Sequence, residues 1–168
     1  MITFKFNPTK TLQAVRWMLS QTPQLDFHTI LKAVYFADRE SLNTHGRPVF
    51  GARYRAMNFG PVPLEVYEML KLEPYWLSEL QTSHYPWSTQ GYHVRSDTDE
   101  PLDLSHLSRF DRECLERGFH RSSNLSFSAR TRETHGRDWI RAELGMMRYE
   151  DMIDDDVPDR DRLIDRLE

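Results

Sequence analysis

Apolar residues first gather behind Asn7-Pro8, where Leu12, Val15, Trp17, Met18 and Leu19 fall at helical spacing. Asn7 can accept from the orphan N–H groups of the first turn, and Pro8 loses nothing at the first helical position. The spacing predicts a helix that Thr22-Pro23 ends. Asp26 is suited to cap a second helix, with Phe27, Ile30, Leu31, Val34, Tyr35, Ala37 and Leu42 following at three- and four-residue steps. That stretch is apolar over more than half its circumference, which predicts the central, best-buried helix. His45-Gly46 is its stop, with Gly in the left-handed conformation past the last turn.

The pattern changes from Pro48 to Met57. Val49, Phe50, Tyr54 and Met57, bounded by Gly51 and Asn58, predict a short hairpin or extended loop. Phe59-Gly60-Pro61-Val62-Pro63 reads as a rigid corner, because each proline fixes its own φ and biases the residue before it. A helix follows from Pro63 to Leu70. Residues 73–95 read as a second hairpin: Tyr85 and Trp87 share a face, Tyr92 and Val94 share a face, and Ser88-Thr89-Gln90-Gly91 turns between them. After an acidic loop (Asp97–Asp103), a helix starting at Ser105 or Ser108 carries Leu107, Phe110, Cys114, Leu115 and Phe119. Ser126 caps a short helix closed by Gly136, another covers Asp138–Leu144, and Tyr149–Ile153 makes one last turn. The expected fold class is mainly α, in the α+β sense: a compact helical domain of about six helices with one or two small β-hairpins. It should occupy residues 1–153 as a single domain, with 154–168 as a solvated acidic C-terminal tail.

Composition agrees with a packed domain. The 168 residues are 39% hydrophobic and 12% aromatic, enough to build a core without staples. The net charge of −4 conceals an asymmetry: Glu150–Glu168 holds nine acids and three arginines, a balance of −6, so residues 1–149 carry +2. A net-acidic domain with scattered arginine is a weak nucleic-acid candidate. Cys114 is the one cysteine, so no internal disulfide forms and no Cys-based zinc site is available. No apolar run approaches the ~20 residues of a membrane-spanning helix, and Met1–Lys10 lacks a secretory h-region, so a cytoplasmic location is expected.

Catalytic and cofactor signatures are missing. Neither phosphate-binding glycine loop occurs, nor HExxH, and none of the seven histidines pairs with a second ligand at tight spacing. Asp97, Asp99, Glu100 and Asp103 hint at calcium, but Pro101 and the absent glycine break the EF-hand pattern. Cys114, among Leu107, Phe110 and Leu115, reads as a small core hydrophobe. No catalytic residue, metal site or cofactor is therefore assigned, and a non-enzymatic role is expected. An enzyme would need a cleft of perturbed titratable groups near His28, His45 or Asp38.

One run is distinctive. Leu31-Lys32-Ala33-Val34-Tyr35-Phe36-Ala37-Asp38-Arg39 is followed by His45-Gly46-Arg47-Pro48, Phe50-Gly51, Tyr54 through Pro63, and Val66-Tyr67. In order and spacing it resembles the Panacea domain of the SocA-like antitoxin family, often labelled phage-associated. Weaker echoes continue in Leu125–Ser128, in Thr134-His135 with Trp139, and in Met147 with Tyr149–Met152. The resemblance implies a helical domain with small β elements that neutralises a toxin encoded beside it by direct contact. The alternative it carries is a proteolysis adaptor, or a phage or prophage regulatory protein that binds a host factor. The implied partner is thus the adjacent gene's toxin and, on the alternative, a protease.

The matched residues divide by chemistry. Tyr35, Phe36, Asp38, Arg39, Gly60, Pro61 and Pro63 read as structural: stripe, helix end and corner. Asp38 and Arg39 need partners beside a core, from Arg47, Arg53 or Arg55 or from nearby backbone groups. Arg47, Arg53, Tyr54 and Phe59 form a candidate Arg/aromatic contact patch, since such residues dominate interface hot spots. Trp76 and Trp87, with Tyr75, Tyr85 and Tyr92, form a second candidate, which cross-strand packing explains equally well.

Overall fold

The computed structural model describes residues 1–168, in two small antiparallel sheets and nine helices. The chain runs α1 (Pro8–Gln21), β1 (Gln24–Asp26), α2 (Phe27–His45), β2 (Tyr54–Met57), β3 (Gly60–Pro63), α3 (Leu64–Leu70) and α4 (Tyr75–Leu80). It continues β4 (Trp87–Gln90), β5 (His93–Ser96), α5 (Arg109–Ser123), α6 (Phe127–Glu133), α7 (Arg137–Arg141), α8 (Tyr149–Met152) and α9 (Arg160–Leu167). The α+β class holds, with more helices than the expected six.

The caps are where the sequence places them. Asn7 accepts from Lys10 N, Asp26 from Thr29 N, and Ser126 from Ala129 N. Ser108, not Ser105, opens α5, in a capping box with Asp111. Gly46 closes α2 at φ 72°. α2 is the buried centre, with Ile30, Ala33, Val34, Ala37 and Leu42 inaccessible to solvent. Its main partner is α5, which presents Cys114, Leu115 and Gly118 to it. A Cβ on Gly118 would lie 2.7 Å from the Ala33 carbonyl oxygen and 3.1 Å from the Ala37 nitrogen, so the absence of a side chain sets how closely the two helices approach.

Three sequence-based expectations change within residues 1–153. First, the second hairpin is shorter than residues 73–95. Pro74 leads into α4, where Trp76, Leu77 and Leu80 at helical spacing pack on the core. The turn falls at Gly91-Tyr92, one step beyond Ser88–Gly91, because Gln90 already pairs with His93. Second, Gln24–Asp26 is a strand at the edge of that hairpin, with Leu25 opposite Val94. Third, the Phe59–Pro63 corner is half a hairpin: Tyr54 pairs with Pro63 and Ala56 with Pro61. Residues 145–147 flank β2 on its other side through Ala56 N to Gly145 O (2.9 Å) and Met147 N to Tyr54 O (2.8 Å). The prolines, which cannot donate, therefore stand in the edge strand, where missing donors are tolerated.

Residues 154–168 are not merely solvated. Val157, Leu163, Ile164 and Leu167 are half-buried against the core. Arg160 donates to the carbonyls of Ile153 and Glu150. Placing a carboxylate in this contact, as Leu163→Asp, is expected to cost about 1 kcal/mol in urea denaturation. An unchanged midpoint would show that α9 contributes nothing to the fold. No helix is long and apolar enough to cross a membrane.

Candidate partner-binding cleft

The first turn of α2, the β2–β3 hairpin tip, the β4–β5 turn, α3 and the start of α6 converge on an open apolar cleft of about 500 Å³. Register explains the convergence. Asn58-Phe59 is the two-residue loop of the β2–β3 hairpin, so Phe59 projects from its tip and is 59% exposed. Tyr92, in the next hairpin's turn, is 70% exposed, and its carbonyl accepts from Phe27 N at 2.8 Å. Phe127 opens α6 one residue after its Ser126 cap. Its ring stacks on His28 (centroids 4.0 Å apart, 29° between planes) and meets Phe59 edge-on at 5.2 Å. Phe27 meets Tyr67 and Tyr92 edge-on at 5.9 and 5.8 Å. Met57, Phe59, Tyr92 and Phe127 are all exposed at this one place.

Among the aromatic and aliphatic lining residues stand one lysine, Lys32, one acid, Asp26, and His28, with Arg130 packed behind them. Lys32 lines the cleft although it is 1% exposed. Its Nζ donates to the Pro61 carbonyl at 2.9 Å and has no other hydrogen-bond partner. Burial, reinforced by Arg130, lowers its pKa to about 7. The same crowding leaves no room for a side chain at Gly60 (φ 113°), where a Cβ would come within 2.6 Å of Thr134 Oγ1 and 2.8 Å of Lys32 Cε. Arg130, itself buried, donates to Thr29 Oγ1 at 2.6 Å and to the Leu125 carbonyl. His28 takes the neutral Nε2–H tautomer: Nε2 faces the Phe59 carbonyl at 3.1 Å, and Nδ1 accepts from Arg130 at 3.1 Å. Burial, with Lys32 next, holds its pKa down to about 4. The acid of the group, Asp26, is engaged by Thr29 and lies 3.6 Å from Arg130.

Of the residues expected to make contacts, Phe59 and Tyr92 are in this cleft, Arg53, Tyr75 and Trp76 line a separate recess, and the others lie elsewhere. Arg47 pairs with Asp111 (3.1 Å), which also holds Lys10 (2.8 Å). Arg53 pairs with Glu65 (2.8 Å). Tyr54 is 1% exposed and Trp87 2%, so neither can touch a partner. Tyr54 points inward because alternate residues of β2 face the core, and Trp87 is packed with Tyr85 beneath its sheet. Trp76 is half-buried, its Nε1 bonded to Glu68 at 2.8 Å and its ring edge-on to Phe6. The Arg/aromatic patch therefore does not form as one surface. Instead Phe59, from the first patch, joins Tyr92, from the second.

The structural residues do hold the scaffold. Asp38 Oδ1 accepts from Phe50 N and Oδ2 from the Tyr54 hydroxyl, both at 2.8 Å, so it caps backbone and phenol rather than pairing with an arginine. Tyr35 donates to Asp138. Arg39 pairs with Asp154 at 2.6 Å and approaches Asp138 at 4.0 Å. Phe36 carries the Arg121 guanidinium 4.1 Å above its ring. Lys32, His28, Phe127 and Arg130 escaped the sequence reading as contact residues. One signal was available for Lys32: a cation on the stripe that α2 buries.

Fold and cleft together define a small α+β domain with an aromatic-rimmed recess that one buried lysine lines. A family model, the antitoxin SocA-like Panacea domain, matches residues 30–140, well over half of the chain. The chain belongs to that family. The match takes in Lys32, Phe59, Tyr92, Phe127 and Arg130. Neither a curated protein nor a solved structure showed significant similarity to it.

Proposed function

We propose that this protein is an antitoxin that neutralises the toxin encoded beside it by direct contact, and that the cleft is its docking surface. The family supports a protein-binding role. The observation that carries the choice of surface is the gathering of Met57, Phe59, Tyr92 and Phe127, all exposed, around one recess. Large side chains with little backbone reason to be exposed mark interaction sites. Catalysis is the weaker reading of the same recess. His28 has both ring nitrogens committed to Phe59 and Arg130, which suits it to bracing the hairpin tip rather than moving protons. No observation favours the adaptor alternative in particular, and the acidic segment 154–168 is packed on the core through α9.

The test is co-expression with the neighbouring reading frame. The chain should restore growth that the neighbour alone arrests. Phe59→Asp, which sets a charge on an exposed rim and leaves the core intact, is expected to weaken binding at least tenfold, or about 1.4 kcal/mol, and to abolish rescue at normal melting temperature. A neighbour harmless on its own would refute the antitoxin role. Full rescue by Phe59→Asp would refute the surface.

A further inference from the structure

A buried ammonium requires a counter-charge or must give up its proton. Lys32 has neither an acid within ion-pairing distance nor more than one acceptor for its three N–H groups. The nearest candidate, Asp26, is already held by Thr29 and Arg130. When protonated, Lys32 thus gives the cleft a positive charge with no ion-pair partner in the chain, beside walls that are mostly apolar and aromatic. A neutral hydrophobic side chain would fill such walls and leave the ammonium stranded.

We propose that the cleft receives from the partner protein an apolar or aromatic side chain next to a carboxylate, with Lys32 as counter-ion. This rests on the cleft being the docking surface and specifies what docks there. The rings of Phe59, Phe127 and Tyr92 enclose the apolar part, and the carboxylate descends to Nζ beside the Pro61 carbonyl.

The ion pair makes binding pH-dependent. The charged or titratable groups around Lys32 are Asp26 and His28 at the start of α2, Arg130 on α6 and His135 just beyond it, with the Tyr67 and Tyr92 phenols on the walls. Burial holds His28 near 4 and His135 below the ordinary imidazole range, so both are neutral above about pH 6.5. Asp26 is held below its usual range, and Arg130, although lowered by burial, remains a guanidinium. Lys32, near 7, is the group that changes charge. Deprotonation therefore removes the counter-ion as pH rises, and carboxylate affinity falls with it.

The full-length ¹⁵N-labelled chain is titrated with 3-phenylpropionate, and separately with 3-phenylpropanamide, following amide shifts at pH 6.5 and pH 8.5. The acid should shift Phe59, Tyr92 and Phe127 saturably, bind at least about tenfold more tightly than the amide at pH 6.5, and weaken about tenfold or more at pH 8.5. Lys32→Met, which keeps chain length and removes an uncompensated charge, should bring the acid down to the amide's affinity without lowering the melting temperature. If that variant does not fold, the pH and amide comparisons on the unsubstituted chain decide alone. Equal binding of acid and amide, an affinity independent of pH, or no saturable shift with either would overturn the pocket. These outcomes are separate from rescue. A harmless neighbour with acid binding intact removes the toxin and keeps the pocket, and Phe59-dependent rescue without acid binding does the reverse.

Discussion

Asp38→Asn is expected to remove a fall in stability that the unsubstituted protein shows between about pH 4 and pH 7. Asp38 is wholly buried at the end of the α2 stripe, and burial raises its pKa from 3.8 to about 7 against the opposing bonds from Phe50 N and Tyr54. In the unfolded chain it ionises near its ordinary value. Between the two values the folded state holds a proton that the unfolded state has lost. Its stabilising contribution is therefore complete below about pH 4 and disappears as pH rises through about 7. At about 1.4 kcal/mol per unit, the roughly three units between the two values integrate to about 4 kcal/mol. Asp138 is also raised by burial and adds a slope of the same sign, so the difference between protein and variant isolates Asp38. Asparagine keeps an acceptor for Phe50 N and offers its own N–H to the Tyr54 oxygen, so only the phenolic O–H loses its acceptor. Asp38→Ala has no such remedy. It strands two buried donors and opens a cavity, at a cost of about 3–5 kcal/mol by urea denaturation. Parallel pH profiles for protein and Asp38→Asn variant would mean that Asp38 is ionised in the fold.

Gly118→Leu is expected to cost about 3 kcal/mol or more, and Gly118→Ala about 1–2. Two effects oppose each other for alanine. Helix propensity favours it over glycine by about 1 kcal/mol. Against this, its Cβ would stand 2.7 Å from the Ala33 carbonyl oxygen, a backbone atom that cannot rotate away. Both helices must then separate along the largest interface of the fold, and overpacking of a dense core typically costs about 1–3 kcal/mol. Leucine keeps most of the propensity gain but inserts a far larger volume. A thermal melt at fixed pH decides it: a raised melting temperature for Gly118→Ala would show that α2 and α5 can part freely.

Local chemistry was legible wherever a residue acts on its own neighbours. Asn7, Asp26, Ser108 and Ser126 cap the helices they precede because a cap bonds two or three residues ahead, within any window of sequence. α2 was legible as the central helix because its stripe is too wide for a surface position. The elements misjudged were those settled from a distance. Gln24–Asp26 becomes a strand because β5, some seventy residues on, offers an edge. The Gly60–Pro63 corner becomes a strand for want of a better partner for β2 than its own return. α9 is seated by apolar contacts that acidic composition concealed.

The Arg/aromatic patch shows the same division. Residue type alone nominated Arg47, Arg53, Tyr54 and Phe59, but sequence distance does not report which acid an arginine meets. Asp111 and Glu65 claimed the two arginines, and strand alternation turned Tyr54 inward. By itself the sequence determined the family scaffold, the caps that open α1, α2, α5 and α6, and the identity of the central helix, since periodicity and capping are short-range. Only the tertiary structure decided that Phe59, Tyr92 and Phe127 share one rim above Lys32. Those residues come from two hairpin turns and the start of α6, and their meeting depends on how the elements pack.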